Sequence, residues 1–373
     1  MNSGIFQFNA GAVALLVAGA IGCSGGSTPA GTATTPEGDA GTTAAADQSP
    51  EYSVVSGDLP VPAATDGIQL ATPDYDANNV NAAHMMVMPN QEIFLCYYIT
   101  LPNQTELDVG EFQSWMSPGS SHHFIVYEQS AGTPGSAFGG APQPSGTITS
   151  CSVATGNWVY ATSTPGEVVS STMPAGVGLP FAAGQQIVLN MHFINSGSTT
   201  LYPKVKLNIL TAKNVQYKAG ALVSFNTSIN VPAATAAGPG KQTVSGTCNV
   251  TAGSKVFSMS THTHKHATAA VVNFVSGGVT QEIVHTGAET TYPTAQQRGT
   301  GTDWEHPGVS LWKGPDFLTV NAGDTFTYSC SYENTASTAV TVGETASSNE
   351  MCMAVGYYFP AGSVSCQDTA STN

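Results

Sequence analysis

Thr325-Phe326-Thr327-Tyr328-Ser329-Cys330-Ser331-Tyr332 alternates polar and apolar side chains without a break. Successive side chains of an extended strand point to opposite faces, so the run reads as a half-buried strand with Phe326, Tyr328, Cys330 and Tyr332 inward. Similar short runs, punctuated by turn residues, lie to either side of it. They span Glu92 to Thr100, His122 to Glu128, Gln186 to Ile194 and Lys204 to Leu210, then Ser254 to Ser260, Ala269 to Val275 and Cys352 to Phe359. No long 3.6-residue periodicity interrupts them. Charged residues are only 9% of the chain, while Gly, Ser, Thr and Ala abound, a composition that suits strands and tight turns better than helices. The expected fold is all-β: two tandem antiparallel β-sandwich domains of jelly-roll-like form, following a signal peptide and a flexible linker.

The 373 residues suffice for two domains, each with a real core. At the start, the apolar stretch from Ala10 to Ile21 is too short to cross a bilayer, which takes about 20 residues. Residues 1–22 therefore read as a signal peptide. Ala20-Ile21-Gly22-Cys23 resembles a bacterial lipobox with Cys23 as the lipidated residue, although Ala20 replaces the usual Leu and no Lys or Arg precedes it. A lipid anchor at the cell envelope is expected, with plain secretion as the alternative; both mean export. Residues 23–50 hold little to bury and form a tether. The folded chain then divides into 51–212 and 213–366, with the boundary in the turn-rich stretch from Thr211 to Gly220. Nine basic against 24 acidic residues give a formal charge of -15 and no basic patch, which excludes a nucleic-acid partner. A monomer is expected. Apart from Cys23, the cysteines are Cys96, Cys151, Cys248, Cys330, Cys352 and Cys366, an even number that favours disulfides in an exported chain.

Five of the nine histidines sit in three strand-like contexts: His122-His123, His192, and His262-Thr263-His264. Residues two apart on a strand share a face, so His262 and His264 can offer both imidazoles to one ion; a solvated surface pair fits as well. Adjacent histidines normally face opposite ways. Both can ligate one ion only where the strand ends or bends, and Pro118-Gly119-Ser120-Ser121 supplies an irregular approach. The other reading of that pair is one core and one surface histidine. His192, inside Ile187-Val188-Leu189-Asn190-Met191-His192-Phe193, reads alone as a hydrogen-bonded core residue. His266 would extend the motif, but a strand advances about 7 Å over two residues, which makes a third ligand there awkward. His84, His285 and His306 read as surface or turn residues, and Trp304-Glu305-His306-Pro307 as a loop near the second histidine pair.

The order His-His, His, His-x-His, then Asn349-Glu350-Met351-Cys352 resembles the ligand series of the copper type II, ascorbate-dependent monooxygenases. This is the family of peptidylglycine α-hydroxylating and dopamine β-monooxygenases. The resemblance runs from about Ala82 to Cys366. It includes Cys96-Tyr97-Tyr98-Ile99-Thr100-Leu101-Pro102, similar to an early cysteine strand, and Pro174-Ala175-Gly176-Val177-Gly178-Leu179-Pro180-Phe181 ahead of the third histidine. The resemblance implies two copper ions, one on His122, His123 and His192 and a second on His262, His264 and Met351. Imidazole suits both copper oxidation states, whereas a thioether favours Cu(I), which would make the Met351 site the oxygen site and His262, His264 and Met351 the catalytic set. Met353 is the nearest competitor to Met351. The family's pairing implies Cys330 with Cys352, Cys248 with Cys366 and Cys96 with Cys151.

The implied activity is hydroxylation of a carbon–hydrogen bond of a small molecule or peptide by dioxygen. Ascorbate or another one-electron reductant would supply the electrons, one of them by way of the histidine-only copper, and a solvent-filled cleft would separate the domains. The peptide-hydroxylating relatives carry an arginine two positions before His-x-His that grips a terminal carboxylate. Ser260 stands there, and Met353 and Val355 replace an Asn and a Tyr after the methionine, so a peptide with a free C-terminus is not the expected substrate. Lys265-His266-Ala267 also departs from the family's turn. A second reading is a non-enzymatic copper-binding exported lipoprotein using the same ligands, and a third is a structural pair of β-sandwiches.

Overall fold

The computed structural model describes residues 52–56, 58–129, 143–151, 157–287, 299–304, 306–343 and 345–367. The signal segment, Cys23 and the tether of residues 1–50 lie outside them. Among the described residues there is no α-helix, and a 3-10 turn at Ala82–His84 is the only helical segment. The protein is all-β.

Strands from the first half of the chain form two sheets. One runs Tyr52–Ser56, Glu167–Thr172, Leu107–Met116, Val205–Thr211, Gly67–Ala71, with Val177–Phe181 and Tyr217–Lys218 attached beside it. The other, which carries three of the expected histidines, runs Ile148–Ser150, Gln91–Thr100, Gln186–Asn195, Ser121–Glu128, Asn157–Thr162. Strands from the second half form a sheet of Gly220–Phe225, Met353–Phe359, Ser254–His262 and Val309–Leu311, on whose third strand Leu318–Val320 also pairs. Against it lies a sheet of Gly299–Gly301, Val279–Gly287, Ala267–Ser276, Thr325–Asn334, Gly240–Val250 and Val364–Gln367. A small sheet joins Asn230–Val231, Val340–Val342 and Asn349–Glu350. Pairing is antiparallel except in three short parallel contacts.

The alternation in Thr325–Asn334 appears as strict alternation of burial along the strand, one face on the core and one toward water. Gln186–Asn195 differs, being buried almost throughout because it lies at the centre of its sheet. Met353–Phe359 is buried at every position. Met353, Val355, Tyr357 and Phe359 join the core of the first half, while Ala354 and Tyr358 join the core of the second. One strand thus serves two cores, each taking every other side chain. The Tyr357 hydroxyl donates to the carbonyl of Val159, tying the seam with a polar contact. The halves therefore pack through an apolar seam here, where a cleft had been the expectation.

The cysteines pair as Cys96–Cys151, Cys248–Cys366 and Cys330–Cys352. Such bridges belong to an oxidising, exported environment. Cys330–Cys352 joins residues 22 apart and anchors the segment that leads into Met353–Phe359. Closing a loop of that size stabilises the fold by about 3 kcal/mol through the unfolded chain. Replacing both Cys330 and Cys352 by alanine is expected to lower the urea midpoint by that equivalent, with the other two bridges still found by peptide mapping without reduction. A midpoint unchanged from wild type would contradict this.

Candidate metal centre

His123 and His192 sit opposite one another on neighbouring strands, but the next pair along is Phe193 with Ser121. His122 is skipped: it is the surplus residue of a β-bulge, where two residues face one. In a regular strand, His122 and His123 would point to opposite faces. The bulge turns both imidazoles to the same side, and Gly119, at a φ of 87°, supplies the turn that leads into it. The ring centroids of His122, His123 and His192 are 4.9 to 5.1 Å apart. One ligand nitrogen from each lies within 4.8 Å of the others, the only such group of metal-binding side chains among the described residues.

Hydrogen bonds define the state of these rings. His192 donates from Nε2 to the Glu92 carboxylate at 2.8 Å, which leaves Nδ1 as the basic nitrogen. That Nδ1 is buried and has no hydrogen-bond partner. The Nδ1 atoms of His122 and His123 face each other at 2.9 Å. Phe94, directly opposite His192, stacks on its ring at 4.1 Å. Glu92, two residues from Phe94, reaches the same ring diagonally across the pair. Burial, and then the neighbouring imidazoles, hold His123 well below the usual histidine pKa. Burial lowers His192 to about 4, with Glu92 opposing. His123 and His192 are thus neutral imidazoles with lone pairs to offer.

The second set forms where two strands leave their ladder. His262 is the last residue of Ser254–His262 and pairs with Met353. Two residues beyond on each chain come His264 and Met351, so the same register that joins His262 to Met353 brings His264 alongside the Met351 segment. The rings of His262 and His264 lie 5.2 Å apart and nearly perpendicular. His264 donates from Nδ1 to the carbonyl of Asn349 at 3.1 Å, leaving Nε2 free to ligate. Burial lowers His262 to about 3 and His264 to about 4. Met351 is buried, and its carbonyl accepts from the Tyr332 hydroxyl at 2.8 Å.

Glu350 holds this corner together. Fully buried, it accepts the backbone N–H of His264 at 2.9 Å, that of His266 at 2.6 Å and that of Met351 at 3.3 Å. Burial raises its carboxyl to about 7 against the pull of those N–H groups. Its position in Asn349-Glu350-Met351-Cys352 was visible in the sequence, but its role as a brace across two chain segments was not. Glu92 left no sequence signal at all, since its partner His192 is 100 residues away.

Other histidines fall elsewhere. His266 meets the Ser347 carbonyl through Nε2 at 3.4 Å. His306 pairs with Asp303 and is exposed. His285, expected at the surface, is instead 5% exposed within Val279–Gly287, a strand flanked by Ala267–Ser276 and Gly299–Gly301. Trp304, expected near the second pair, lies over His122 of the first at 6.5 Å. Conversely Trp158, from the first half, meets His262 of the second edge-on at 5.4 Å. His123 also lies within the electrostatic influence of His262 and His264. The two sets are neighbours across the seam.

Residues 219–373 match the family described as copper type II ascorbate-dependent monooxygenase, C-terminal domain. A search of curated proteins finds no match. Among solved structures, N-glycanase F (PNGase F) aligns at 10% identity and a TM-score of 0.33, covering 82% of this chain and 97% of its own. PNGF-II aligns at 12% identity and 0.28, covering 82% of this chain and 66% of its own. The 7S globulin of Momordica charantia aligns at 9% identity and 0.16, covering 85% and 86%. Likeness at these scores bears on neither fold nor function.

The lowered histidine pKa values set a pH dependence for the metal-free protein. The unfolded chain takes up protons near the ordinary value of 6.5, whereas folded His192 and His264 resist to about 4 and His262 to about 3. Glu350, raised to about 7, opposes this with one proton held by the folded state, but the three histidines outweigh it, so stability is highest above pH 6.5 and falls on acidification through that window. The melting temperature of the metal-free protein is expected to drop between pH 7.5 and pH 5, and His262→Gln to flatten the drop. Scanning calorimetry over that range checks both.

Proposed function

We propose that this chain, whose residues 219–373 match the C-terminal-domain family of the copper type II ascorbate-dependent monooxygenases, hydroxylates a carbon–hydrogen bond with dioxygen and ascorbate or another one-electron reductant. In this reading residues 51–212 and 213–366 are two copper domains. His122, His123 and His192 hold one ion; His262, His264 and Met351 hold the other. The observation that carries the reading is the buried, partnerless Nδ1 of His192 within a set of three imidazoles whose ligand atoms lie inside 4.8 Å. A buried polar atom without a partner is costly, and three imidazole nitrogens in so small a volume fit a borderline ion.

Bound copper supplies one-electron redox chemistry toward dioxygen, with the overall balance R–H + O2 + 2 e⁻ + 2 H⁺ → R–OH + H2O. The chain's own part is to bind and orient. Glu92 fixes the tautomer and plane of His192, and the Asn349 carbonyl does the same for His264. Glu350 holds the backbone of His264 and of Met351 in one frame. The Met351 thioether is the soft member of its set and favours Cu(I). Ser260, where the peptide-hydroxylating relatives carry an arginine, is fully buried and donates to the Gly308 carbonyl at 2.8 Å. It offers no grip on a carboxylate, which supports a substrate other than a peptide with a free C-terminus.

Two copper ions per chain are expected by elemental analysis, with ascorbate-dependent oxygen uptake above that of free copper across a library of amines, phenols and amides. Met351→Leu is expected to weaken Cu(I) binding at one site by at least about tenfold, and Glu350→Gln to weaken the same site by roughly 10- to 100-fold. Chelator competition measures both. Absence of copper would sink the proposal; copper without turnover would favour a carrier of the metal.

A further inference from the structure

Trp158 belongs to Asn157–Thr162, at the edge of the first half's histidine-bearing sheet, yet its ring meets His262 of the second half. It is 5% exposed, and its indole Nε1 is buried without a hydrogen-bond partner. A desolvated N–H of this kind costs about 1 to 3 kcal/mol and calls for an explanation. Of the hydroxyls on its own strand and on the His262 strand, those of Thr162 and Ser258 are likewise buried without a partner, while others at the seam are engaged. Ser260 donates to Gly308, Thr261 exchanges with Thr286, Tyr332 donates to Met351 and Tyr357 to Val159. The Trp158 N–H is therefore a donor held in reserve beside His262.

The carboxyl at that corner, Glu350, is fully buried and taken up by the backbone N–H groups of His264, His266 and Met351. No lysine, arginine or carboxylate figures among the influences on His262, Lys265 is exposed, and Trp158 shares its apolar cluster with Met351, Met353 and Tyr357. With the Glu350 carboxyl spent on backbone N–H groups, an organic anion or ammonium ion would find no free counter-charge in this apolar cluster and would lose its hydration. A neutral molecule with an apolar body and one oxygen acceptor matches what is offered.

We propose that Trp158 is the first half's ligand-contact residue at the His262, His264 and Met351 site, its indole N–H donating to an oxygen acceptor on a neutral organic substrate. This rests on the copper reading above and adds the substrate class to it. The step is binding only: an N–H···O hydrogen bond forms, and no bond in the substrate breaks at Trp158.

The test uses phenylacetamide, phenylacetate and phenethylamine, which share one apolar body and differ in carrying a neutral acceptor, an anion and a cation. Binding is measured calorimetrically to protein loaded with Cu(I) and kept free of oxygen, since the soft ion has little affinity for carboxylate. Phenylacetamide is expected to bind tightest, and Trp158→Phe to weaken it by roughly tenfold, the worth of one donor, with copper content unchanged. Trp312→Phe, at a buried indole in the other core cluster, is expected to leave binding as in wild type. Trp158→Tyr, which refills more of the space, takes the place of the phenylalanine variant if the latter loses copper. Protein that binds no copper would overturn the copper reading itself. Copper-loaded protein that prefers the anion or the cation, binds none of the three, or binds the amide equally well without Trp158 would overturn this inference alone.

Discussion

Opposite His192 and Phe193, the strand Ser121–Glu128 supplies one residue too many, and the surplus residue is His122. The first histidine set depends on that mismatch. Strand pairing fixes His123 and His192 side by side, and only a bulge brings a third imidazole from the adjacent position onto their face. The central strand Gln186–Asn195, held on both edges by its neighbours, gives the bulge a rigid partner to be measured against. Without that partner, His122 and His123 would be free to diverge as in any regular strand.

Burial then decides the chemistry of what the strands gather. Burial disfavours the protonated imidazolium and leaves the neutral ring, the form that a metal ligand requires. Two of the rings use one nitrogen on an oxygen acceptor and keep the other: Glu92 serves His192, and Asn349 serves His264. Glu350 works at the level of the backbone, accepting N–H groups from the His264 and Met351 segments at once. A carboxyl with burial sufficient to lift it to about 7 is retained because the N–H groups it satisfies would otherwise be buried unpaired.

The seam between the halves is the third constraint. Met353–Phe359 sends alternate side chains into two cores, so the strand that follows Met351 cannot shift without disturbing both. Each histidine set accordingly has an indole from the other half beside it, Trp304 on His122 and Trp158 on His262. Anything bound between the sets meets surface from both halves.

The amino-acid sequence determined the all-β class, because two-residue alternation in runs such as Thr325 to Tyr332 can bury only one face of a strand. Eight strands were read to within a residue or two. Others, among them Leu107–Met116 and Gly240–Val250, were not, since Gly, Ser and Thr blur their alternation. The residues of the candidate centre were legible as types in an order along the chain, and so were the three cysteine pairs by resemblance. Convergence was not. The bulge at His122, the register that sets His262 against Met353, the carboxylates of Glu92 and Glu350 and the two crossing indoles all join residues far apart in sequence. Sequence spacing fixes which face of its own strand a side chain takes, but which strands become neighbours, and in what register, is settled only when the sheets pack.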